Sequence, residues 1–408
     1  MRTSLLLSLL LIPLAAFSQA LPDQVLALIA ADQAWTLEQQ RSICEIPAPP
    51  FKESARGVEY AKRLKALGLV DIRTDREGNV ISRWPGSGGP KPLTVFSAHL
   101  DTVFPEGVDV RVKTSGRRLT GPGIGDDCRG LAAVLSVAKA FQETNVKVQG
   151  TILFVATVGE EGQGDLRGVR HLFTKEMKGQ IDQFISLDGT GYGVTARGVG
   201  SNRYRVTYFG RGGHSYGAFG MPNPAHAMGR AIARISDIQV PKQPKTTFNI
   251  GTVEGGTSVN SIPIAVSMEV DLRSESASEL ANLDERFRAA LGAALEAEKA
   301  RWPESSAVLE LKIETMGLRP AAEPADSLPI IQQALAAAKR LGIPVFATRS
   351  GSTDSNIPMS LGIPAVTLGA GGQASGAHSA DEFYEETADS YKGPQMAALL
   401  LFSLHPPQ

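Results

Sequence analysis

Histidine and acidic residues recur along this chain at the ends of short apolar runs, and this recurrence constrains the fold more than any other feature. The runs are typical of strands, and five clusters follow them or follow glycine-rich turns: SAHLDTVF (97–104), GPGIGDD (121–127), TVGEEG (157–162), ISLDGTG (185–191) and GAHSADEF (376–383). Open α/β sheets place their functional sites where strands end. The pattern therefore predicts that the clusters meet at one edge of a sheet.

The first cluster shows the chemistry that this arrangement allows. His99 and Asp101 lie two residues apart at the end of the apolar run PLTVFSAH, and side chains at i and i+2 of a strand point to the same face. A histidine there can bind a metal ion through one ring nitrogen, while a nearby carboxylate holds the ring in place. Together with the four later clusters, the order of the ligand types along the chain indicates a hydrolase with two metal ions. Nitrogen and carboxylate donors suit zinc, and cobalt or manganese are the alternatives.

Length and charge narrow the class of protein. The 408 residues exceed the roughly 250–300 that one core usually serves, so we expect two domains. A formal net charge of -1 without a basic cluster argues against a nucleic-acid partner. After residue 20 no stretch is long and apolar enough to span a membrane.

The first 20 residues, MRTSLLLSLLLIPLAAFSQA, differ from the rest of the chain. Arg2 precedes an apolar run, and Ser18 and Ala20 suit cleavage after Ala20. We therefore predict a signal peptide over residues 1–20 and export to the periplasm or the medium. A buried N-terminal helix is the alternative.

The two cysteines, Cys44 and Cys128, are too few for a disulfide scaffold. We expect two buried free thiols. Metal binding by Cys128 is a less favoured alternative, because histidines and carboxylates already fill two sites.

Strand-like and helix-like segments alternate around the clusters, which predicts an α/β fold with a sheet between helices. The expected strands are 79–84, 93–98, 151–157, 183–187, 344–348 and 365–368, and the expected helices are 53–67, 130–142, 165–177, 327–341 and 387–403. Residues 200–312 instead follow a β-α-β-β-α-β order, which resembles the ferredoxin-like sandwich. We predict a catalytic domain from 21–199 and 313–408, with 200–312 inserted as a lid or dimerisation domain.

The motifs, their order and the insert resemble the zinc peptidase family of glutamate carboxypeptidase, acetylornithine deacetylase, succinyl-diaminopimelate desuccinylase, aminoacylase and peptidase T. The resemblance covers nearly all of the chain after residue 20. It implies the following roles: His99 and Asp188 as terminal ligands of one metal ion, Asp126 as the bridging carboxylate, Glu161 and His378 as ligands of the second ion, Asp101 as the partner of His99, and Glu160 as general base. It also implies a cis peptide bond between Asp126 and Asp127.

The same resemblance assigns residues of the insert to substrate. His214, in a glycine-rich loop, matches a histidine that reaches the partner subunit's site and stabilises the oxyanion. Asn260 and Arg273 match residues near the substrate carboxylate, and arginine suits a bidentate grip on that group. The loop GSTDSN (351–356) matches a substrate-site loop of open role.

The resulting hypothesis is an exported, dinuclear-zinc exopeptidase that acts on small peptides as a homodimer formed through the insert. An N-acyl-amino-acid deacylase is the alternative within enzymes. A related alternative is the group of single-domain zinc aminopeptidases, which share the core and similar ligands. They lack the insert, so residues 200–312 argue against this alternative. A non-catalytic dimeric binding protein on the same scaffold is the alternative of another class, although no ligand and no general base is missing here.

Overall fold

The computed structural model describes residues 14–344 and 348–408, with side-chain surroundings from residue 21 onwards. The helices of this part are α1 Leu14–Ala31, α2 Gln33–Cys44, α3 Ser54–Ala66, α4 Cys128–Glu143, α5 Arg167–His171, α6 Pro224–Ser236, α7 Ala277–Ala300, α8 Pro329–Arg340, α9 Asn356–Ser360 and α10 Lys392–Leu404. In the described residues we find no helix that is long and apolar enough to cross a membrane.

The strands follow the same chain order. They are β1 Val70–Thr74, β2 Val80–Arg83, β3 Leu93–His99, β4 Lys113–Ser115, β5 Arg118–Thr120, β6 Thr151–Thr157, β7 Gln183–Leu187, β8 Val194–Gly198, β9 Gly200–Gly210, β10 Gly213–His214, β11 Thr246–Gly255, β12 Ser261–Ile262, β13 Ala265–Ser274, β14 Leu309–Arg319, β15 Arg349–Gly351, β16 Ala365–Leu368, β17 Gln373–Ser375 and β18 Phe383–Glu385. A short 3₁₀ turn (Gly162–Gly164) and a π-helical turn (Leu172–Glu176) flank α5.

The main sheet has the strand order β1-β2-β6-β3-β7-β16-β8-β15 and is mixed. Its centre, β6-β3-β7-β16, is parallel. These strands are near-continuous apolar runs, as expected where helices cover both faces of a sheet, and Phe96 and Phe154 pack edge to face in the core. The predicted α/β class with a mixed sheet between helices is confirmed.

A second sheet, β11-β13-β9-β14, is antiparallel throughout. Helices α6 and α7 pack on it around a core of their own that includes Met228, Phe287 and Tyr204. This strand order and the β-α-β-β-α-β sequence match a ferredoxin-like sandwich. Strand β14 continues to Arg319, beyond the boundary expected at residue 312.

A third, small sheet, β17-β18-β5-β4, was not predicted, because strands of three residues carry no readable periodicity. Phe383 of β18 pairs with Thr120 of β5. The pairing places the loop 121–127 beside the loop between β17 and β18, which carries His378. Two clusters that are distant in sequence therefore become neighbours.

Cys44 and Cys128 form a disulfide bond with a Cα–Cα distance of 5.5 Å. The expectation of two free thiols was wrong, and so was the alternative of metal binding by Cys128. The two residues are the last of α2 and the first of α4, and these helices pack against each other. A separation of 84 residues hid this contact from the sequence.

Two expectations fall partly outside the described residues. Residues 1–13 of the predicted signal peptide are outside them, and the remainder begins α1, whose backbone continues past Ala20. The strand expected at 344–348 includes the undescribed residues 345–347, and the described strand nearby is β15.

Candidate active site

The carboxyl ends of the central parallel strands bring the sequence clusters together. His99 is the last residue of β3, Asp188 follows β7 directly, and Glu160 and Glu161 follow β6 after a short turn. Parallel strands end at the same edge of a sheet, which is where such folds hold their ligands. The predicted convergence of these clusters is therefore seen in the structure.

Five of these side chains form two triads that share one carboxylate. Within each triad the possible ligand atoms lie within 4.8 Å of one another, and the triads are His99, Asp126, Asp188 and Asp126, Glu161, His378. Asp126 Oδ1 lies 3.1 Å from His99 Nε2, and its Oδ2 lies 3.3 Å from His378 Nε2. One oxygen of Asp126 thus faces each histidine. A further grouping, His99 with Glu160 and Glu161, meets the same distance.

Local backbone structure explains how Asp126 reaches this position. The Asp127 carboxylate accepts hydrogen bonds from Gly130 N at the start of α4 (3.0 Å) and from His99 N (3.1 Å). Asp127 thus caps the N-terminus of α4 and also connects the loop 121–127 to the end of β3. The peptide bond between Asp126 and Asp127 is cis, as the resemblance implies. On the other side of the site, His378 has a φ of 65°, a left-handed conformation that is uncommon for residues other than glycine.

Asp101 connects His99 with both glutamates. Its carboxylate accepts hydrogen bonds from Glu160 N (3.0 Å) and Glu161 N (2.8 Å). It lies 3.6 Å from His99 Nδ1, but the nearer neighbour of that nitrogen is the Asp101 carbonyl oxygen at 3.1 Å. The backbone and the side chain of Asp101 therefore orient the imidazole together.

Carboxylates outnumber cationic groups in this site. Burial, followed by repulsion from Asp126, raises the pKa of Asp188 well above its usual range. Hydrogen bonds to Asp126 and Glu161 raise the pKa of His378 to about 10. Divalent cations would balance this excess of negative charge, and imidazole and carboxylate donors suit zinc, cobalt or manganese. The residues present therefore fit two metal ions.

Glu160 belongs to neither triad and lies beside them, buried. Burial raises its pKa to about 8, although Arg319 opposes this shift. Arg319 Nη1 lies 3.3 Å from Glu160 Oε1, and Arg319 also donates to the Glu160 carbonyl oxygen. The arginine is the last residue of β14, so the second sheet contacts the candidate base directly.

His214 and Asn260 lie together on the second-sheet side, outside both triads. Ser215 N donates to Asn260 O (2.9 Å), and β10 pairs with β12. His214 Nδ1 accepts from Tyr216 N and Gly217 N, both at 3.3 Å, which leaves Nε2 to carry the proton. The exposed imidazole can therefore act as a hydrogen-bond donor.

Arg273, the third residue expected at the substrate, lies on β13. Its Nε donates to Asp271 Oδ2 at 2.7 Å, and 40% of its side chain is exposed. The structure therefore places it in an ion pair with Asp271. Its role at a substrate carboxylate stays a prediction.

Sequence reasoning missed three buried residues near the triads, namely Arg319, Glu382 and Asp354. Arg319 lies at the end of β14, where no motif marks it, and Glu382 lies inside the cluster of His378 but was given no role. Asp354 lies in the loop 351–356, to which the sequence assigned no specific role. It accepts a hydrogen bond from Thr157 Oγ1 at 2.5 Å, and burial raises its pKa to about 6. For the last two, the available signal was an acidic residue within a motif.

Comparison with known sequences identifies the family of this chain. The model of Peptidase family M20/M25/M40 matches residues 95–402. The YqjE protein of Bacillus subtilis is 28% identical over 86% of this chain and 89% of its own length. Carboxypeptidase G2 of Pseudomonas sp. is 28% identical over 54% of each chain. Succinyl-diaminopimelate desuccinylase of Nitrosospira multiformis is 29% identical over 59% of this chain and 68% of its own.

Solved structures show the same fold. A tripeptidase from Staphylococcus aureus superposes with a TM-score of 0.73 at 21% identity, covering 90% of this chain and 97% of its own. The Bacillus subtilis YxeP protein, described as a dinuclear metal-binding peptidase, gives a TM-score of 0.67 at 17% identity, covering 92% and 99%.

The fold and site define a metal-dependent hydrolase of amide bonds. The chain belongs to Peptidase family M20/M25/M40, and it is an enzyme of the metallopeptidase and amidohydrolase class. This confirms the resemblance seen in the sequence and sets aside the alternative of a non-catalytic binding protein.

Proposed function

We propose that this protein is an exported exopeptidase that hydrolyses small peptides with two zinc ions and Glu160 as general base. One observation carries the proposal: the two triads share Asp126, and the buried Glu160, which belongs to neither triad, lies next to them. Cobalt or manganese suits the same donors.

Each triad would hold one ion, with Asp126 between them. Bound there, the two ions would supply an activated water molecule and polarise the scissile carbonyl. Asp101 keeps His99 and the backbone of Glu160 and Glu161 in place through the contacts described above.

The proton transfers fall to Glu160. Burial raises the pKa of Glu160 to about 8, which makes its ionised carboxylate a stronger proton acceptor. A pKa near neutral pH suits a group that takes a proton from the attacking water and returns it to the leaving amine. Arg319 limits where the Glu160 carboxylate can move, because it contacts both its side chain and its carbonyl oxygen.

The substrate class rests on the relatives. Carboxypeptidase G2 and the tripeptidase are peptidases by name, which supports a small peptide. The desuccinylase supports the alternative, an N-acyl-amino-acid deacylase. A hydrolysis screen of dipeptides, tripeptides and N-acyl amino acids, with and without added zinc, separates the two. We expect zinc-dependent cleavage of peptides, whereas cleavage of acyl amino acids alone would favour the deacylase.

Export is supported by two features. Residues 1–20 have the pattern of a signal peptide, and a disulfide bond persists in oxidising compartments. N-terminal sequencing of protein from the periplasm or medium should begin at Leu21. Protein that keeps Met1 and remains in the cytoplasm would contradict export.

The working unit that we propose is a homodimer through the second sheet. Strand β11 is an edge of this sheet, so it is free to pair with its copy, and a closed two-fold pair is the commonest arrangement. Strand β9 cannot form this pairing, because it lies between β13 and β14 and is already paired on both sides. In the dimer, the exposed His214 of one chain would donate to the oxyanion in the other.

Complementation tests this arrangement. His214→Ala removes a donor worth about 2.7–4 kcal/mol in comparable sites, and Glu160→Ala removes the base, so each variant alone should be nearly inactive. After subunit exchange, a mixed dimer should regain one working site from the intact Glu160 of one chain and the intact His214 of the other. Exchange that is demonstrated by mass spectrometry without a return of activity would show that His214 does not act in trans.

A further inference from the structure

The loop Gly121–Asp127, which carries the shared ligand Asp126, is held by a buried carboxylate outside both triads. Glu382 Oε1 accepts hydrogen bonds from Gly125 N (2.8 Å) and Asp126 N (3.1 Å), and Oε2 accepts from Gly123 N (3.0 Å). The side chain is fully buried. One carboxylate thus binds three backbone amides within four residues of the loop, including the amide of Asp126 itself.

The loop is shaped for this contact. Gly123 has a φ of 75°, a conformation that favours glycine. A Cβ on Gly125 would lie 2.8 Å from Ala374 Cβ and 3.3 Å from Glu382 Oε1. Glycine at both positions allows the backbone amides to approach the carboxylate.

The far side of the same loop is fastened to α2. The disulfide bond joins Cys44 of α2 to Cys128, the residue directly after Asp127. Gln40, which is also fully buried and lies one turn earlier on α2, donates from Nε2 to Ile124 O at 2.8 Å. The loop is therefore held from two independent directions, by Glu382, which directly precedes β18, on one side and by α2 on the other.

We propose that Glu382 is a positioning residue that holds Asp126 at the corner of the two triads, with the Cys44–Cys128 disulfide as the second anchor of the same loop. The proposal rests on the proposed metal-dependent function. Removal of the carboxylate leaves three buried amides without their acceptor, which is costly, so the loop moves to find other partners. Asp126 moves with it, and both triads lose their shared ligand position.

The substitution Glu382→Gln tests this role. Glutamine keeps the size of the side chain but replaces one acceptor oxygen with an NH₂ group, which cannot accept from a backbone amide. Loss of a group that orients a metal ligand typically weakens metal affinity about 10–100-fold. We expect zinc affinity, measured by competition with a chromophoric chelator, to fall by that factor. Saturating zinc should restore the wild-type kcat, because Glu382 is buried and belongs to neither triad.

Glu385→Gln is the matched control. Glu385 lies three residues further along, is partly exposed, and pairs with Arg118 at 2.7 Å. The same chemical change there should leave zinc affinity unchanged. The thermal unfolding midpoint of each metal-free variant shows whether the fold is intact.

The disulfide arm uses the double substitution Cys44→Ser and Cys128→Ser. We expect lower zinc affinity in this variant as well. Wild-type affinity in a folded double variant would overturn the role of the disulfide, and wild-type affinity in Glu382→Gln would overturn that of Glu382. If wild-type protein itself binds no zinc, the proposed function fails instead.

A second variant keeps the test decisive if Glu382→Gln does not fold. In Glu382→Asp the shorter side chain cannot reach all three amides, so the same loss of affinity is expected. If neither variant folds while Glu385→Gln does, Glu382 is a structural residue and the proposal is overturned.

Discussion

Replacement of Glu160 by glutamine should lower kcat about 10²–10⁴-fold, equivalent to about 2.7–5.4 kcal/mol of transition-state stabilisation, while metal content stays at the wild-type level. The reason is its position: Glu160 is buried beside the triads, but neither triad needs it. Glutamine fills the same volume and cannot accept and return a proton. Steady-state kinetics and metal analysis on the same preparation measure both quantities.

Glu161→Gln is the control, because this neighbour lies 3.0 Å from His378 Nε2 within a triad. It should lose metal. If Glu160→Gln strips metal and Glu161→Gln does not, the two roles are reversed. The grouping of His99 with both glutamates makes this a real alternative that the experiment resolves.

Asp126→Asn should remove both metal ions and all turnover above background. Asp126 is the one residue common to both triads, with one oxygen facing each histidine. Asparagine offers a single carbonyl oxygen and no negative charge, so neither ion keeps its ligand set.

Asp188→Asn provides the comparison, because Asp188 belongs only to the triad of His99. This variant should lose one ion more readily than the other. Retention of two ions by Asp126→Asn, or equal loss of both ions by Asp188→Asn, would contradict a shared carboxylate. Metal titration of the folded variants, followed by mass spectrometry under native conditions, distinguishes these outcomes.

The sequence predicted the central strands and the convergence of the histidine and acidic clusters at their ends, for a physical reason. The bounds predicted for β6, β7 and β16 match the structure, because these buried parallel strands are continuous apolar runs with clear ends. The candidate ligands His99 and Asp188 lie at or directly after the ends of such strands. The second sheet was readable for a different reason, namely its β-α-β-β-α-β element order.

The contacts that hold the site were not readable. Glu382 lies 257 residues from Gly125, and Arg319 lies 159 residues from Glu160. No periodicity connects such pairs, and the three-residue strands that bring the loop of His378 to that of Asp126 are too short to show one. The disulfide was missed because its pairing depends on how α2 packs against α4.

Metal analysis of wild-type protein tests the central claim most directly. Protein that is purified without chelators and equilibrated with zinc should contain close to two ions per chain, because two triads with suitable donors share Asp126. One ion per chain, or none, under zinc-replete conditions would contradict the dinuclear account.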